Sequence, residues 1–570
     1  MSEQLKELYI LPEPPAEFTQ ALSDLGPVMA KILYNRGLTT PQAARAFLSD
    51  GLPIHNPFQL YCMSSAVARI RNAIKSKERI IVYGDFDADG VTSTALLVET
   101  LEALGAKVAP YIPDRIDEGY GLNIPALEQL AQEGVGLIIT VDCGIRSIAE
   151  VEAGIAAGLD IIVTDHHSVG EVTPRAYAVI NPKQPVCKYP EKMLAGVGIA
   201  YKLASALLAS ARAQDRSPPD LSEHDLLDLV ALGTVADLAP LDRPENRRLV
   251  QLGLQQLAKA RRPGIYALMD VSGIRPEKIT TVGIGYGLGP RINAAGRLED
   301  AKVAYELLRA TDLSQASSLA QELQQINVRR QQLTTEAYDT ALGQIALDPT
   351  TPNLLFAIDE GFSPGIVGLV AGKLTEAFYR PSVVIQKGEE ESHGSCRSIP
   401  EFNITHALDQ CADLLLRHGG HAQAAGFTIM NENLDAFRER LNEITEDALG
   451  GRNLQPTLAI DAQLEMIELT MELARKLQAL EPMGTENPEP VFFTRRLSVV
   501  EARRVGSKGH HLKLRLADGP LSVDAIAFRL GEWFTRLPPY IDVAYHLQIN
   551  EWNGRTNLQM NVIDIRPTER

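Results

Sequence analysis

The chain has 570 residues of ordinary globular composition, 45% hydrophobic and 22% charged, which exceeds what one core supports and predicts two to four domains. Its net charge of −17 argues mildly against a nucleic-acid binder, although a local basic groove is compatible with an acidic sum. No long uncharged apolar run is present, MSEQLKELYILPEPP has neither the basic start nor the apolar block of a signal peptide, and the five cysteines are scattered and odd in number; this predicts a cytoplasmic protein with no membrane span.

Residues 1–63 read as an N-terminal helical segment. Helical patterns cover Phe18–Gly26 and Val28–Arg36, then Thr40–Ser49, where Thr40 caps and Pro41 opens the first turn. These helices carry no chemistry and read as a supporting cap. The next domain, 64–310, begins with alternating helices and buried apolar runs. Helices are expected at Ser65–Ser76, Val91–Leu104, Leu127–Glu133 and Ser147–Ala157. Strands are expected at Arg79–Tyr83, Val108–Ile112, Gly136–Val141 and Asp160–Thr164. The alternation predicts a doubly wound, mostly parallel sheet, in which ligands bind beyond the carboxyl ends of the strands.

The acidic and imidazole residues fall at those ends. Asp85, Asp87 and Asp89 follow the strand ending at Tyr83, Asp142 follows Val141, and Asp165, His166 and His167 follow Thr164. Carboxylates this close repel one another unless a cation sits among them. The spacing DxDxDG also occurs in EF-hand calcium loops, but the twelfth position here is Leu96 rather than a glutamate, and a buried strand precedes it. Adjacent histidines in a turn point different ways, so one joins the carboxylates and the other faces substrate. Oxygen-rich ligands with one imidazole suit Mn2+ or Mg2+ better than zinc. Several carboxylates can hold two such ions roughly 3.5–4 Å apart, the spacing of two-metal phosphoester hydrolysis. Asp237 ends the apolar helix DLLDLVALGTVAD, and its position alone leaves open a cap, a solvated charge or a ligand.

Thr281–Arg297 is glycine-rich and carries Arg291, Asn293 and Arg297; it reads as a tight loop, either structural or contacting phosphate. A connector is expected over 311–349, its helix Leu313–Ile345 having apolar positions Leu319, Leu323, Ile326 and Leu333 and, at about 30 helical residues, a length of about 45 Å. A second α/β domain, 350–450, has strands at Asn353–Ile358 and Ser382–Gln386. Its small-residue turns Gly394–Ser398 and Gly419–His421 carry Arg397, Gly420 and His421; each alone reads as structural, although glycine lets backbone approach a phosphate and Arg pairs with it. In 451–570, five short strands (Leu497–Arg503, His511–Leu516, Ser522–Phe528, Ile541–Ile549 and Thr556–Ile565) predict an OB-fold β-barrel. Its basic cluster holds Arg503, Arg504, Lys508, His510, His511, Lys513 and Arg515, of which Arg504, Lys508, Lys513 and Arg515 are the candidate contacts to nucleic acid. With Phe528, Trp533, Tyr545 and Trp552 as stacking faces, this composition suits single strands.

GDFDADG, TVDCG, TDHH and GTVADLAPL resemble, in order, the four motifs of the DHH phosphoesterase superfamily. LGPRINAAGR, GIVGLVAGKL, GSCRSI, GGHAQAAGF and MGTENPEPVF extend the likeness from Ser64 to the C-terminus, to the branch that degrades single-stranded DNA 5′→3′. The resemblance implies a DHH domain over 64–310 and a DHHA1-like substrate-binding domain over 350–450. It implies Asp87, Asp89, Asp142, His166 and Asp237 as ligands of two Mn2+ or Mg2+ ions, with Asp142 bridging and Asp85 either a ligand or a neighbour of one. Asp142, His166 and His167 would be the catalytic residues, with His167 on the scissile phosphate. Arg291, Asn293, Arg297, Arg397, Gly420 and His421 would line the substrate. The implied activity releases mononucleotides in DNA repair and recombination, with a helicase and a single-strand-binding protein as partners and no membrane. The chain departs from the family at Phe362-Ser363, where Trp-His is usual. Two other classes compete: a phosphatase or phosphodiesterase of small substrates, which needs neither barrel nor connector, and a non-catalytic scaffold, which has no use for crowded carboxylates.

Overall fold

The computed structural model describes residues 6–115, 118–119, 121–214, 219–346, 353–506, 508–552 and 555–568, except the side chains of Trp552 and Arg555. They form two compact units: one holds His55–Asp237 and Leu252–Pro456, the other Lys6–Ile54, Leu238–Gln251 and Thr457–Arg570.

The first unit is built on an all-parallel sheet of β1 (Arg79–Tyr83), β2 (Lys107–Tyr111), β3 (Val135–Val141), β4 (Asp160–Thr164) and β5 (Ala178–Ile180), in the spatial order β2-β1-β3-β4-β5. IIVY, LIITV and IIVT are β-branched, apolar runs buried on both faces, as a helix-covered parallel sheet requires. In register, Tyr83 pairs with Thr140 and Val141 with Thr164, so the chain leaves three neighbouring strands at one edge. β5 escapes a reading of the sequence because three residues carry no period. Five helices of this unit matter below: α1 (Ala88–Ala103), α2 (Gly196–Gln214), α3 (Leu227–Ala236), α4 (Gly289–Leu298) and α5 (Leu313–Ala346). The 34 residues of α5 give the expected connector a length of about 51 Å.

Thr281–Arg297 is not a loop. Gly283–Leu288 forms a π-helical turn that continues into α4. Its glycines serve close packing: a Cβ on Gly296 would lie 2.3 Å from the Phe86 carbonyl oxygen, and one on Gly289 lies 3.3 Å from the Ala236 Cβ. The two small-residue turns expected in the second α/β domain are strands as well. Its mixed sheet holds β6 (Leu355–Asp359), β7 (Ser382–Gln386), β8 (Glu391–Arg397), β9 (Leu415–His421) and β10 (Ala424–Met430), in the order β9-β10-β8-β7-β6, and only β6 and β7 pair parallel. Gly394 pairs with Phe427, whose ring fills the space a side chain would take: a Cβ there would meet the ring at 2.1 Å. Glycine inside a strand can mark a close approach rather than a turn. Phe362, in the variant position, is buried among Ile366, Val367 and Val370, which accounts for its apolar side chain.

The second unit is a closed barrel. β11 (Phe492–Val505), β12 (His511–Asp518), β13 (Leu521–Ala527), β14 (Tyr540–Trp552) and β15 (Arg555–Pro567) pair in the order β11-β12-β13-β15-β14, and β14 closes onto β11. The N-terminal helices belong to its core: Phe18, Met29, Ile32 and Phe47 share one apolar cluster with Leu477, Phe492, Leu512 and Tyr545. Deleting the barrel would therefore strip a partner from those helices. Arg247, fully buried, ties the unit together. Its guanidinium lies 4.0 Å over the Phe47 ring and donates to five carbonyls, those of Phe47, Ala479, Leu480, Glu481 and Pro482, at 2.6–3.2 Å. Replacing it leaves those acceptors desolvated and unpaired. Arg247→Met is expected to destabilise this unit by about 3–5 kcal/mol in urea unfolding followed by Trp fluorescence. A loss under about 1 kcal/mol would mean that the carbonyls find water.

Candidate active site

The three strand ends and two helix ends converge. After β1, the Asp87 side chain turns back to cap α1, accepting from the amides of Asp89 and Gly90 at 2.9 and 3.0 Å. Asp89 accepts from the amides of Gly196 and Val197 at 2.6 and 2.8 Å, the first turn of α2, so a helix N-terminus favours its charged form. Asp142 sits at φ +62°, a left-handed conformation that non-glycine residues adopt at a cost and that recurs at functional sites. His166 Nε2 lies 3.0 Å from Asp142 Oδ1 and 3.9 Å from Asp89 Oδ2, and its Nδ1 lies 3.8 Å from Asp237 Oδ2. Three sets of donors, Asp85–Asp87–Asp142, Asp89–His166–Asp237 and Asp142–His166–His167, each have ligand atoms within 4.8 Å of one another. Asp142 and His166 each belong to two sets, and Asp237 joins at the end of α3.

The electrostatics fit a cation. Burial, then Asp87, pushes the Asp89 carboxyl up to about 7. Burial foremost raises Asp85, Asp142 and Asp237 well above the ordinary carboxylate range, and neighbouring aspartates add to it. Burial, then the His167 charge, pushes His166 down to about 3, so it is a neutral imidazole with a lone pair to offer. Among the described residues its buried Nε2 makes no hydrogen bond, although Asp142 Oδ1 lies 3.0 Å away. Orphaned imidazole nitrogen and mutually repelling buried carboxylates are what a divalent ion satisfies, and the oxygen-rich donor set suits Mn2+ or Mg2+.

His167 is set apart. Its Nδ1 lies 2.8 Å from Asp165 Oδ1, which also accepts its backbone N–H at 3.0 Å, while Asp165 Oδ2 accepts from Ile145 N–H at 2.8 Å. Burial alone would lower the imidazole pKa, but the Asp165 bond and charge outweigh it and raise it. The His167 side chain is 37% exposed, against 13% for His166. His166 is thus the more enclosed of the two, and His167 the more open, although both have a ring nitrogen in the set with Asp142. Asp165 orients His167, a role that motif spacing does not assign.

The expected substrate residues divide by what they touch. Asn293 Oδ1 accepts from Ala88 N–H at 2.7 Å, so it props the first turn of α1 beside the carboxylates. Arg291 donates to Gln324 Oε1 and Gly287 O, both at 2.7 Å. Arg297 donates to Gly365 O at 3.0 Å, joining the two α/β domains. Burial, then the charge of Arg115, pushes Arg297 down to about 10, and Arg330 and Arg397 add to it. Arg115 itself lies 4.9 Å over the Phe86 ring, its charge drawn to Asp85 and Asp87. Mutually repelling arginines need an anion, and Arg115 and Arg330 carry no motif that would have singled them out. Arg397 donates to Cys396 O at 2.8 Å. Gly420 and His421 are exposed at the end of β9.

On the barrel, Arg503 pairs across the ladder with Lys513, and Lys508 is exposed. Arg504 donates to Gly531 O at 2.9 Å and lies 5.7 Å over the Phe534 ring. Arg515 stands between Glu501 and Asp524 on the flanking strands, which offset its charge. Phe528 is 55% exposed, but Tyr545 is buried with its hydroxyl 2.8 Å from Thr494 Oγ1 and cannot stack a base. The aromatic pattern does not separate core from surface because both occur on alternating strands. Trp533 packs partly into the core, and the side chain of Trp552 lies outside the described residues.

Comparison with known proteins matches residues 79–234 to the DHH family N-terminal domain, 351–447 to the DHHA1 domain and 460–564 to the RecJ OB domain. The chain is 38% identical over 548 residues to the single-stranded-DNA-specific exonuclease RecJ of Bacillus subtilis (strain 168), covering 95% of this chain and 68% of that one. With the protein of the same name from Salmonella typhimurium it shares 37% identity over 573 residues, covering 97% and 98%. The crystal structure of RecJ from Thermus thermophilus in complex with Mn2+ matches at a TM-score of 0.84 and 34% identity, covering 99% of this chain and 80% of that chain. The Mg2+ complex from the same organism matches at 0.78 and 32% identity, covering 99% and 79%. Domains in the same order and identity along nearly the whole length leave one assignment: the chain belongs to the RecJ family of single-stranded-DNA-specific exonucleases.

Proposed function

We propose that this chain degrades single-stranded DNA from its 5′ end, releasing mononucleotides by metal-dependent hydrolysis of phosphodiester bonds. The observation that carries this reading is two donor sets at the carboxyl edge of the sheet, Asp85–Asp87–Asp142 and Asp89–His166–Asp237, linked by a third that contains both Asp142 and His166. Asp85, Asp87 and Asp142 would hold one ion, and Asp89, His166 and Asp237 the other. When bound, such ions supply an activated water and a polarised phosphate, so no Ser or Cys nucleophile is needed. The raised, half-exposed His167, held by Asp165, donates to a phosphate oxygen as charge builds there. Arg115, Arg297 and Arg397 neutralise phosphate in the cleft between the two α/β domains, and His421 adds a donor at its rim.

Among the described residues no helix is long and apolar enough to cross a membrane. We place the activity in the cytoplasm, in DNA repair and recombination, where a helicase and a single-strand-binding protein supply the strand. A phosphatase of small substrates has no need of the exposed cations on the barrel. Arg503→Ala with Lys513→Ala is expected to weaken single-strand affinity about 10-fold and to reduce its salt slope by roughly 1–2, read by fluorescence anisotropy across a KCl series. An unchanged slope would remove the barrel's basic face from the binding surface.

The test of the activity uses one oligonucleotide labelled at the 5′ or the 3′ end, with Mn2+, Mg2+ or EDTA. Immediate mononucleotide release from the 5′ label, a descending ladder from the 3′ label and silence in EDTA are expected. Release from the 3′ label first would overturn the polarity, and cleavage in EDTA would overturn the metal chemistry.

A further inference from the structure

The π-helical turn Gly283–Leu288 carries the most exposed large apolar side chain among the described residues. Tyr286 is 84% exposed, and Val282, four residues earlier, is 61% exposed. An aromatic ring held in water on a rigid turn gains nothing for folding. The turn itself is firmly fixed. Ile284 and Leu288 are fully buried, and the Arg291 guanidinium holds the Gly287 carbonyl at 2.7 Å while its Nε holds Gln324. The ring is therefore presented by a backbone anchored on both sides.

Its place along the helix ties it to the carboxylate centre. One turn after Tyr286, Gly289 packs on Ala236, the residue before Asp237. One turn further, Asn293 holds the Ala88 amide between Asp87 and Asp89 at 2.7 Å. One more turn on, Arg297 reaches the second α/β domain through Gly365 O. A single rigid element thus runs from the arginine cluster, past both groups of carboxylates, to Tyr286. The seven residues from Asn293 to Tyr286 correspond to about 10 Å.

We infer that Tyr286 is a stacking platform for an unpaired base of the strand being degraded, roughly one to three nucleotides beyond the cut. This rests on the exonuclease reading above. Phosphates engage Arg297 and its neighbours at one end of the element, hydrolysis occurs beside Asn293, and the remaining strand passes Tyr286 at the other end. Stacking on one exposed ring tolerates any base, which an enzyme that removes every nucleotide in turn requires. It resists slippage of the strand between cuts.

The test compares the wild-type enzyme with Tyr286→Ala and Tyr286→Phe on a 5′-phosphorylated single strand with Mn2+. A second series of substrates carries one abasic nucleotide at each of the first four positions. Tyr286→Ala is expected to raise KM about 10-fold while Tyr286→Phe stays within about 2-fold of wild type. One abasic position should cost the wild-type enzyme a similar factor and cost Tyr286→Ala nothing further. An unchanged KM in Tyr286→Ala, or an abasic penalty that persists undiminished in it, would overturn the assignment. Failure of the wild-type enzyme to cut any strand would instead overturn the exonuclease reading, and the stacking role with it.

Discussion

The Asp142→Asn variant is expected to bind single-stranded DNA and not cut it, with activity lower by at least about 10³-fold and affinity in EDTA within about 3-fold of wild type. Asp142 belongs to the donor set with Asp85 and Asp87, and its Oδ1 lies 3.0 Å from the His166 Nε2 of the set with Asp89 and Asp237, so its carboxylate is the group whose loss reaches both. Asparagine is the informative replacement. It keeps the volume in a place where Gly196 is so close that a Cβ on it would lie 2.7 Å from the Asp142 Cβ. It also tolerates the left-handed backbone at φ +62°, which alanine does not, so Asp142→Ala would mix a folding cost with the chemical one. Asparagine moreover mimics the protonated acid, the form that burial and four neighbouring aspartates favour in the metal-free protein. Thermal stability without metal should hold or rise, while Mn2+ uptake in calorimetry falls. Cleavage within about 10-fold of wild type would show that Asp142 does not join two ions.

The candidate metal centre was legible because its chemistry is written in short motifs at strand ends, and a doubly wound sheet sends those ends to one edge. The strands preceding Asp85, Asp142 and Asp165 could be read from apolar runs alone, and the barrel from five alternating segments. What misled was glycine. Gly289, Gly296 and Gly394 suggested turns, yet each lies inside a helix or strand where another backbone or a ring approaches closely, and no local pattern distinguishes these uses. Partnerships across long separations were equally hidden. Nothing near Arg247 announces that it binds carbonyls more than 200 residues away, and nothing near Asp165 announces that it holds the neighbour of a metal ligand. Tyr545 was misplaced because an aromatic on a barrel strand faces in or out by register, which a bulge between Ala544 and Tyr545 shifts.

Metal and pH should act on stability together, with a definite sign. Asp89, pushed up to about 7, keeps in the folded protein a proton that the unfolded chain releases near 3.8, and Asp85, Asp142 and Asp237 shift the same way. The stabilisation these groups lend is complete below 3.8 and is lost as pH rises through their folded values. His166, pushed down to about 3 from 6.5, works oppositely, but its contribution is complete once pH exceeds 6.5. His167 is raised, so it too loses stabilisation above that point. Between about pH 6.5 and 8.5 the raised groups therefore all pull one way while His166 adds no slope, at up to about 1.4 kcal/mol per pH unit for each that titrates. The metal-free protein should show a falling Tm across this range for the transition that responds to Mn2+. Because an ion replaces those protons, the increase in Tm on adding Mn2+ should grow with pH, and Asp142→Asn should flatten both trends. Differential scanning fluorimetry of dialysed protein at four pH values, with and without Mn2+, gives both slopes. A Mn2+ increment that shrinks between about pH 6.5 and 8.5 would mean that the carboxylates are already ionised in the empty centre, and that something other than a cation keeps them apart.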